Sequence, residues 1–355
     1  MNYSIATIDP LSDRRWDAFV EDHPFGWLCH LSGWKEVLDR SFRHMKAHYL
    51  VLLLGNEIHA ALPVFEVRSW LTGNRLVSIP FATICDPLVS SDDELAQLVE
   101  AVIGLSRKRM IKSIEIRTLE SWPHFGGSPL NVGGKYKHHY IPLKKSPDEL
   151  MKSFHRSCVR QRISRAMNSG IEVSAGKTES DLRDFYRLHV LSRKRLCLPP
   201  QPYAFIKSLF DIFHPDGRAN LILGKKDGNP IAALLLLRFK GRVSAEYAVY
   251  DDSYLNISPI HLLFWEAIRT ASEDGFKVFD FGRTLPLNTN LMDFKDRWGT
   301  VVSDMPQFHY PSSGALAGDG GREGTLGYKL IRKVCRNTPD FALHHIGNFC
   351  YRHLG

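Results

Sequence analysis

The strongest constraint in this chain is a repeated order of elements. Residues 50–65 read LVLLLGNEIHAALPVF and residues 221–239 read LILGKKDGNPIAALLLLRF. Each is an apolar run, a turn containing Gly-Asn, and a second run that opens on Ile and carries Ala-Ala-Leu, the pattern of an antiparallel hairpin. A strand (RLVSIPFATI), a helix (DDELAQLVEAVIGLSRKRM) and a strand (SIEIRTL) follow the first hairpin. RVSAEYAVY, HLLFWEAIRTASEDG and KVFDFG follow the second. Helical sequence precedes both, WKEVLDRSF in one half and DLRDFYRLHVLSRKRL in the other. Agreement in order over this many elements points to duplication rather than chance likeness of apolar strands. The expected fold class is α/β (α+β): two related domains, each a mixed sheet flanked by helices.

The segment LESWPHFGGSPLNVGGKYKHHYIPL, rich in Gly and Pro, reads as the connection between the halves. The expected divisions are therefore 1–145, 146–310 and 311–355. A single helix, DELMKSFHRSCVRQRISRAMNSG with Gly170 as its stop, opens the second half. After it ends, PSSGALAGDGGREGTLG reads as a flexible linker. The basic, aromatic-bearing tail YKLIRKVCRNTPDFALHHIGNFCYRHLG then either docks on the protein, the favoured reading, or lies on an anionic membrane surface.

Composition narrows the class. Of 355 residues, 44% are hydrophobic and 24% charged, which excludes a disordered or fibrous chain. The formal net charge of +8 favours an anionic partner: phosphate, nucleic acid or a membrane surface. Cysteines 29, 85, 158, 197, 335 and 350 contain no C-x-x-C, arguing against a disulfide framework or zinc ribbon. The start, MNYSIATIDPLSDRRW, is no signal peptide, and the longest apolar runs fall short of the ~20 residues of a bilayer span. A cytoplasmic protein is the expectation.

The best-defined helix lies in the second half. Ser258 is its expected cap, Pro259 fits its first turn, and Ile260, Phe264, Ile268 and Ala271 share one face, with Gly275 closing the end. The return strand alternates Phe276, Val278 and Asp280 against Phe279 and Phe281. A carboxylate there is costly unless paired, and Arg283 is the nearby cation. Asp280-Phe281-Gly282 also matches the metal-holding tripeptide of protein kinases. The Gly-rich loop, strand lysine and catalytic-loop Asp and Asn of those enzymes are missing in order, so that reading fails. No P-loop and no G-x-S-x-G elbow occurs. The adjacent pairs His138-His139 and His344-His345 lack the i, i+4 spacing of helical metal ligands.

The element order is that of GNAT-type acyl-transfer folds. In those, the strand before the main helix splays from its neighbour, and a glycine-rich turn offers N–H groups to the coenzyme A pyrophosphate. Here the turn reads YDDSYLNISPIHLL, without glycine, and Pro259 removes a donor. LMKSFHRSCVRQRISRAMNSGIEV, DLRDFYRLHVLSRKRLCLPPQPYAFIKSLFD, GNPIAALLLL, SPIHLLFWEAI and FDFGRT…NLMDFKDRWGT together resemble the FemAB-like family. These are tandem-GNAT transferases related to enzymes that add amino acids to peptidoglycan precursors. The likeness covers about 147–310, as a BioF2-like acetyltransferase domain, and D-F-G-R…F-K-x-x-W-G is its most specific part. The tail looks like that of the subgroup found with exosortase (PEP-CTERM) and exopolysaccharide systems.

The resemblance implies transfer of an aminoacyl or acyl group to an amine of a phosphorylated or lipid-linked cell-envelope or exopolysaccharide precursor. No cofactor would be tightly bound, and the donor would be aminoacyl-tRNA or acyl-coenzyme A. The protein would be cytoplasmic, or peripheral on the inner membrane through its tail. Lys295 sits where relatives place a cation near the transferring carbonyl; amine attack on an ester makes an oxyanion that such a cation stabilises. Asp86 is the candidate for orienting the amine, and also fits an Asx-type turn before Pro87. Arg193, Arg195 and Tyr203 lie where relatives contact anionic acceptor groups, although a solvated helix face suits the two arginines equally. Lys35, beside Trp34, is a candidate for the diphosphate of the acceptor, and Glu246 and Tyr247 for the donor cleft. Asp280 and Arg283 would order the loop carrying Asn288 and Lys295. Two alternatives stand beside this reading: an acyl-coenzyme A-dependent N-acetyltransferase acting on an amino sugar or peptide, and a non-catalytic scaffold on the membrane surface.

Overall fold

The computed structural model describes residues 3–70, 73–311 and 326–353. Most of the expected linker, 312–325, lies outside them. The elements run, in chain order, β1 (Ser4–Ile8), α1 (Arg15–Asp22), α2 (Ser32–Ser41), β2 (Lys46–Leu54), β3 (Glu57–Val67), β4 (Arg75–Val77), α3 (Asp92–Lys108) and β5 (Ser113–Arg117). Next come β6 (Asn131–Pro142), α4 (Pro147–Ser153), α5 (Gln161–Met167), β7 (Glu172–Gly176), α6 (Glu179–Arg195), α7 (Tyr203–Phe213), β8 (Ala219–Lys226), β9 (Asn229–Phe239) and β10 (Arg242–Tyr250). The chain ends with α8 (Pro259–Glu273), β11 (Val278–Thr284), α9 (Thr289–Asp296), β12 (Val301–Tyr310), α10 (Leu326–Asn337) and α11 (Asp340–Tyr351).

Two compact units result. The first holds Met1–Tyr136, Asp304–Lys329 and Asn348–Gly355; the second holds Lys137–Ser303 and Leu330–Gly347. The duplication is present in both. In the first unit β1, β2, β3 and β4 are joined antiparallel, α3 crosses over, and β5 returns parallel to β4. In the second, β7, β8, β9 and β10 are joined antiparallel, α8 crosses over, and β11 returns parallel to β10. Each unit also has two helices between its first and second strands.

The second unit shows why these residues adopt these elements. Ile231 to Leu237 on β9 are all buried, as expected of a central strand covered on both faces. Helix α8 buries Ile260, Leu263, Phe264, Ala267, Ile268 and Ala271 against β8, β9 and β10, while Arg269 pairs with Glu266 and Glu273 on its other face. Its first turn differs from expectation. Ser258 takes the left-handed conformation, φ 56°, and makes no side-chain cap, so Pro259 alone sets the start of the helix. Helix α6 is capped as its sequence suggests, by Thr178 and Asp181 in a reciprocal box.

Two expectations change. The stretch 148–170 is not one helix. Phe154 leaves α4 in an extended conformation to bury its ring, and the His155 ring accepts the Cys158 N–H at 3.2 Å, starting a separate π-type turn before α5. The supposed connection at 119–145 contains β6, whose later residues pair antiparallel with β11. The tail docks, as favoured. In the second unit Cys335 and Leu343 pack on Val190, Lys194 pairs with Asp340 at 2.5 Å, and a Cβ on Gly347 would come within 2.2 Å of the Pro200 carbonyl. In the first, Arg75 donates to the His353 carbonyl at 3.2 Å, and the Tyr351 and Phe81 rings lie 5.4 Å apart.

Candidate active site

The site is built where β10 and β11 part. These strands pair only from Arg242 with Val278 to Ser244 with Asp280. Beyond that point both are interrupted, β10 between Ala245 and Tyr247 and β11 between Asp280 and Gly282. A bulge bends its strand and re-aims side chains, so two bulges at the end of one short pairing open a wedge. Gly282 sits at φ 71°, a conformation other residues rarely adopt, and so permits the β11 bulge.

Asp280 organises this point. It is fully buried, and its Oδ2 accepts from His138 Nε2 at 2.8 Å and from Arg242 Nη1 at 2.8 Å. Its Oδ1 accepts the Gly282 N–H at 2.6 Å, closing the bulge. Burial by itself would raise this pKa; His138, Arg242 and the Gly282 N–H outweigh it and hold the carboxyl well below the usual carboxylate range. The partners are therefore His138 and Arg242, where the sequence suggested Arg283. Arg283 enters the site through its backbone instead.

Lys295, on α9, points into the bulge. Its ammonium donates to the carbonyls of Gly282 at 2.9 Å and Arg283 at 3.1 Å and is only 4% exposed. Two of its three N–H groups are thus occupied, and the third has no partner among the described residues. Burial lowers its pKa from 10.5 to about 8, with Asp280 acting in the opposite direction. At neutral pH it remains mostly protonated. His139 lies beside it, with Nε2 3.2 Å from Met292 Sδ and Nδ1 3.3 Å from Thr300 Oγ1. Burial, then Lys295 and His138, push that ring down to about 4, so it is neutral at pH 7. A neutral His139 adds no charge beside Lys295.

The support for α9 follows from its sequence. Asn288 caps it, accepting the Leu291 N–H at 3.2 Å. Trp298, fully buried, anchors the far end with its ring 5.2 Å from Phe154, 5.6 Å from Phe264 and 5.9 Å from Phe281. Gly299 turns the chain at φ 69°. In the F-K-x-x-W-G segment, then, the tryptophan and glycine hold the helix that presents the lysine.

The other candidates divide between the units. In the second, the half-buried Glu246 is the bulged residue of β10, and its Oε1 accepts from Ser244 Oγ at 2.8 Å. Tyr247 meets the His189 ring edge-on at 5.4 Å. Arg193 donates to the Pro199 carbonyl at 3.0 Å; Arg195 pairs with Asp252 and covers the Tyr250 ring at 4.1 Å. The Tyr203 ring packs on Tyr186 at 5.0 Å.

In the first unit Lys35 pairs with Asp39 at 2.5 Å and lies 3.7 Å from Asp9. It lines an open cleft of about 490 Å³ with Arg43, His44 and Lys46. Asp86 is 2% exposed, and its Oδ1 accepts the N–H groups of Leu119, Glu120 and Ser121 and the Ser121 hydroxyl, at 2.6–3.0 Å. Burial raises its pKa above the ordinary value despite these donors. What the structure shows is a loop clamp, in place of the Asx-type turn.

Sequence reasoning missed His138, His139 and Arg242. Their signal was present but ambiguous: Asp280 demanded a donor, and its neighbours across the sheet were not readable.

The acetyltransferase (GNAT) domain family matches residues 153–296. A lipid II:glycine glycyltransferase from Staphylococcus saprophyticus is 22% identical, over 84% of this chain and 92% of that protein. Among solved structures, the crystal structure of FemX superposes with a TM-score of 0.70 at 17% identity, covering 93% of this chain and all of that one. The chain carries a GNAT domain in its second unit and over its length resembles FemAB-like tandem-GNAT proteins. A tandem GNAT protein from the clavulanic acid biosynthesis pathway has the same fold, at TM-score 0.56 and 10% identity, over 87% of this chain and 98% of its own. In a GNAT fold the wedge between β10 and β11 corresponds to the splay of the strand before the main helix, and α8 to that helix.

Proposed function

We propose that this FemAB-like protein is an aminoacyltransferase that moves an aminoacyl group from tRNA to an amine of a lipid-linked cell-envelope precursor. The observation that carries the reading is the buried Lys295 ammonium, fixed by two carbonyls of the β11 bulge with one N–H left for a ligand. Attack of an amine on an ester carbonyl develops negative charge on oxygen. A preorganised cation in a site shielded from water stabilises that charge without reorganising. As the neutral amine attacks and the C–O bond to the tRNA ribose breaks, the amine nitrogen must give up a proton and the departing oxygen must gain one. His139, with its pKa pushed down to about 4, is a weak base and Asp280 is committed to three donors, so that proton passes from the amine to the departing oxygen of the substrate itself.

The acceptor class is supported by the glycyltransferase relatives, whose name specifies lipid II. A tRNA donor is supported by the turn between β10 and α8. Coenzyme A in its usual mode needs free N–H groups at that helix start. Here Pro259 lacks one, the His261 N–H donates to the Ser258 carbonyl at 3.1 Å, and Pro259, Ile260 and His261 are all buried. The acyl-coenzyme A reading remains the alternative, favoured only by the GNAT domain itself.

The test is label transfer. Purified protein, aminoacyl-tRNA labelled in the amino acid and a lipid-linked envelope precursor should yield labelled precursor carrying a new amide. No labelled precursor, under conditions where the tRNA is bound, overturns the proposal.

A further inference from the structure

Helix α10 divides its apolar arc in two. Ile331 and Cys335 turn inward, packing with Val190, Tyr186 and Leu343, and Cys335 is fully buried. Leu330 and Val334, each one position earlier, stay 62% and 40% exposed. Arg332, Lys333 and Arg336 are also exposed, and the stretch 328–338 contains no Asp or Glu. A single exposed leucine means little. Two apolar side chains at i, i+4, set among cations on a helix without acids, make the pattern of a helix lying in a bilayer interface. With 12 residues α10 is too short to span, and no described helix is long and apolar enough to cross a membrane.

We propose that the Leu330–Val334 edge of α10, with Lys333 and Arg336, is a contact surface for an anionic phospholipid bilayer. The two apolar side chains would enter the boundary between headgroups and acyl chains while the cations meet lipid phosphates. Charge complementarity selects this occupant. A second copy docked about a two-fold axis would set these cations against their own counterparts. A nucleic acid would meet the cations but leave the apolar edge unsatisfied. The inference does not depend on the transfer reaction, because its test uses neither donor nor acceptor.

The experiment is co-sedimentation of the full chain with vesicles of phosphatidylcholine alone or with added phosphatidylglycerol. Binding should require the anionic lipid and weaken as salt rises. Lys333→Glu with Arg336→Glu should weaken it by roughly tenfold or more. Leu330→Glu with Val334→Glu should do the same, whereas Leu330→Phe should retain binding. All four positions are exposed, and matched melting curves would show that the variants fold. Equal binding to both vesicle types, no binding at low salt, or binding unchanged in either double variant would overturn the proposal. A concentration-dependent dimer abolished by Leu330→Glu with Val334→Glu would also overturn it, by assigning the edge to a second copy.

Discussion

Replacing Lys295 by Met separates the chemistry of the ammonium from its packing. Methionine has similar reach and no charge. The substitution removes a donor from the Gly282 and Arg283 carbonyls, at about 1–3 kcal/mol for each group left without one. It also removes a buried charge whose pKa is held down from 10.5 to about 8, a bias of about 3 kcal/mol against the protonated form. These effects oppose each other, so the variant should stay folded and melt within several degrees of the parent. Turnover has no such offset: losing a preorganised group that faces the developing oxyanion lowers it about 10²–10³-fold.

The pH dependence follows from the same group. Its folded pKa is lowered, so the native ammonium loses its proton as pH rises through about 8, and transfer should decline there. Stability moves the other way. Between about 8 and 10.5 the unfolded chain holds the proton more tightly, so raising the pH favours the fold. The assay is steady-state transfer of labelled aminoacyl groups across this range, with melting curves in parallel. Unchanged turnover in Lys295→Met, or a parent profile flat well above pH 8, would refute the reasoning.

Other substitutions probe the scaffold. Asp280→Asn should destabilise the protein by about 3–5 kcal/mol, because Arg242 is left beside an uncharged buried group. Asp280 has a depressed pKa, so its contribution is present above the ordinary carboxylate value and lost only as pH falls through the lower native one; an unshifted melting temperature in the variant would contradict the network. Asp86→Asn keeps an acceptor oxygen and should retain activity if Asp86 is a clamp, whereas Asp86→Ala strands three N–H groups and should cost at least about 3 kcal/mol. An Asn variant that folds but is inactive would return the carboxylate to the mechanism. Trp298→Ala should cost about 3–5 kcal/mol in denaturant unfolding and lower activity by loosening α9, and a stable, fully active variant would show that the lysine needs no such anchor.

Much of the fold was legible because it rests on local periodicity. The hairpins, α3 and α8 announce themselves by apolar spacing and turn residues, and the parallel return of β11 follows from the crossover. The strand β6 was hidden. NVGGKYKHHYIP contains two adjacent glycines and two adjacent histidines, and its burial comes from pairing with β11, far away in sequence. The same distance hid His138, which lies 142 residues from its partner Asp280. Lys295 was legible only through the resemblance; by composition it is one lysine among many. Its burial depends on a bulge at Gly282 that no strand pattern predicts. The left-handed Ser258 was likewise unreadable, since a serine before Pro-Ile-His looks like an ordinary cap.

The most direct measurement of the central claim is a parallel reaction in which purified protein and a lipid-linked envelope precursor receive either aminoacyl-tRNA or acyl-coenzyme A. Mass spectrometry of the precursor reads the result. The account predicts that aminoacyl-tRNA adds one aminoacyl residue in amide linkage, that acyl-coenzyme A adds nothing, and that Lys295→Met removes the product at matched times. A precursor acylated only from coenzyme A, or an undiminished yield from the methionine variant, would contradict it.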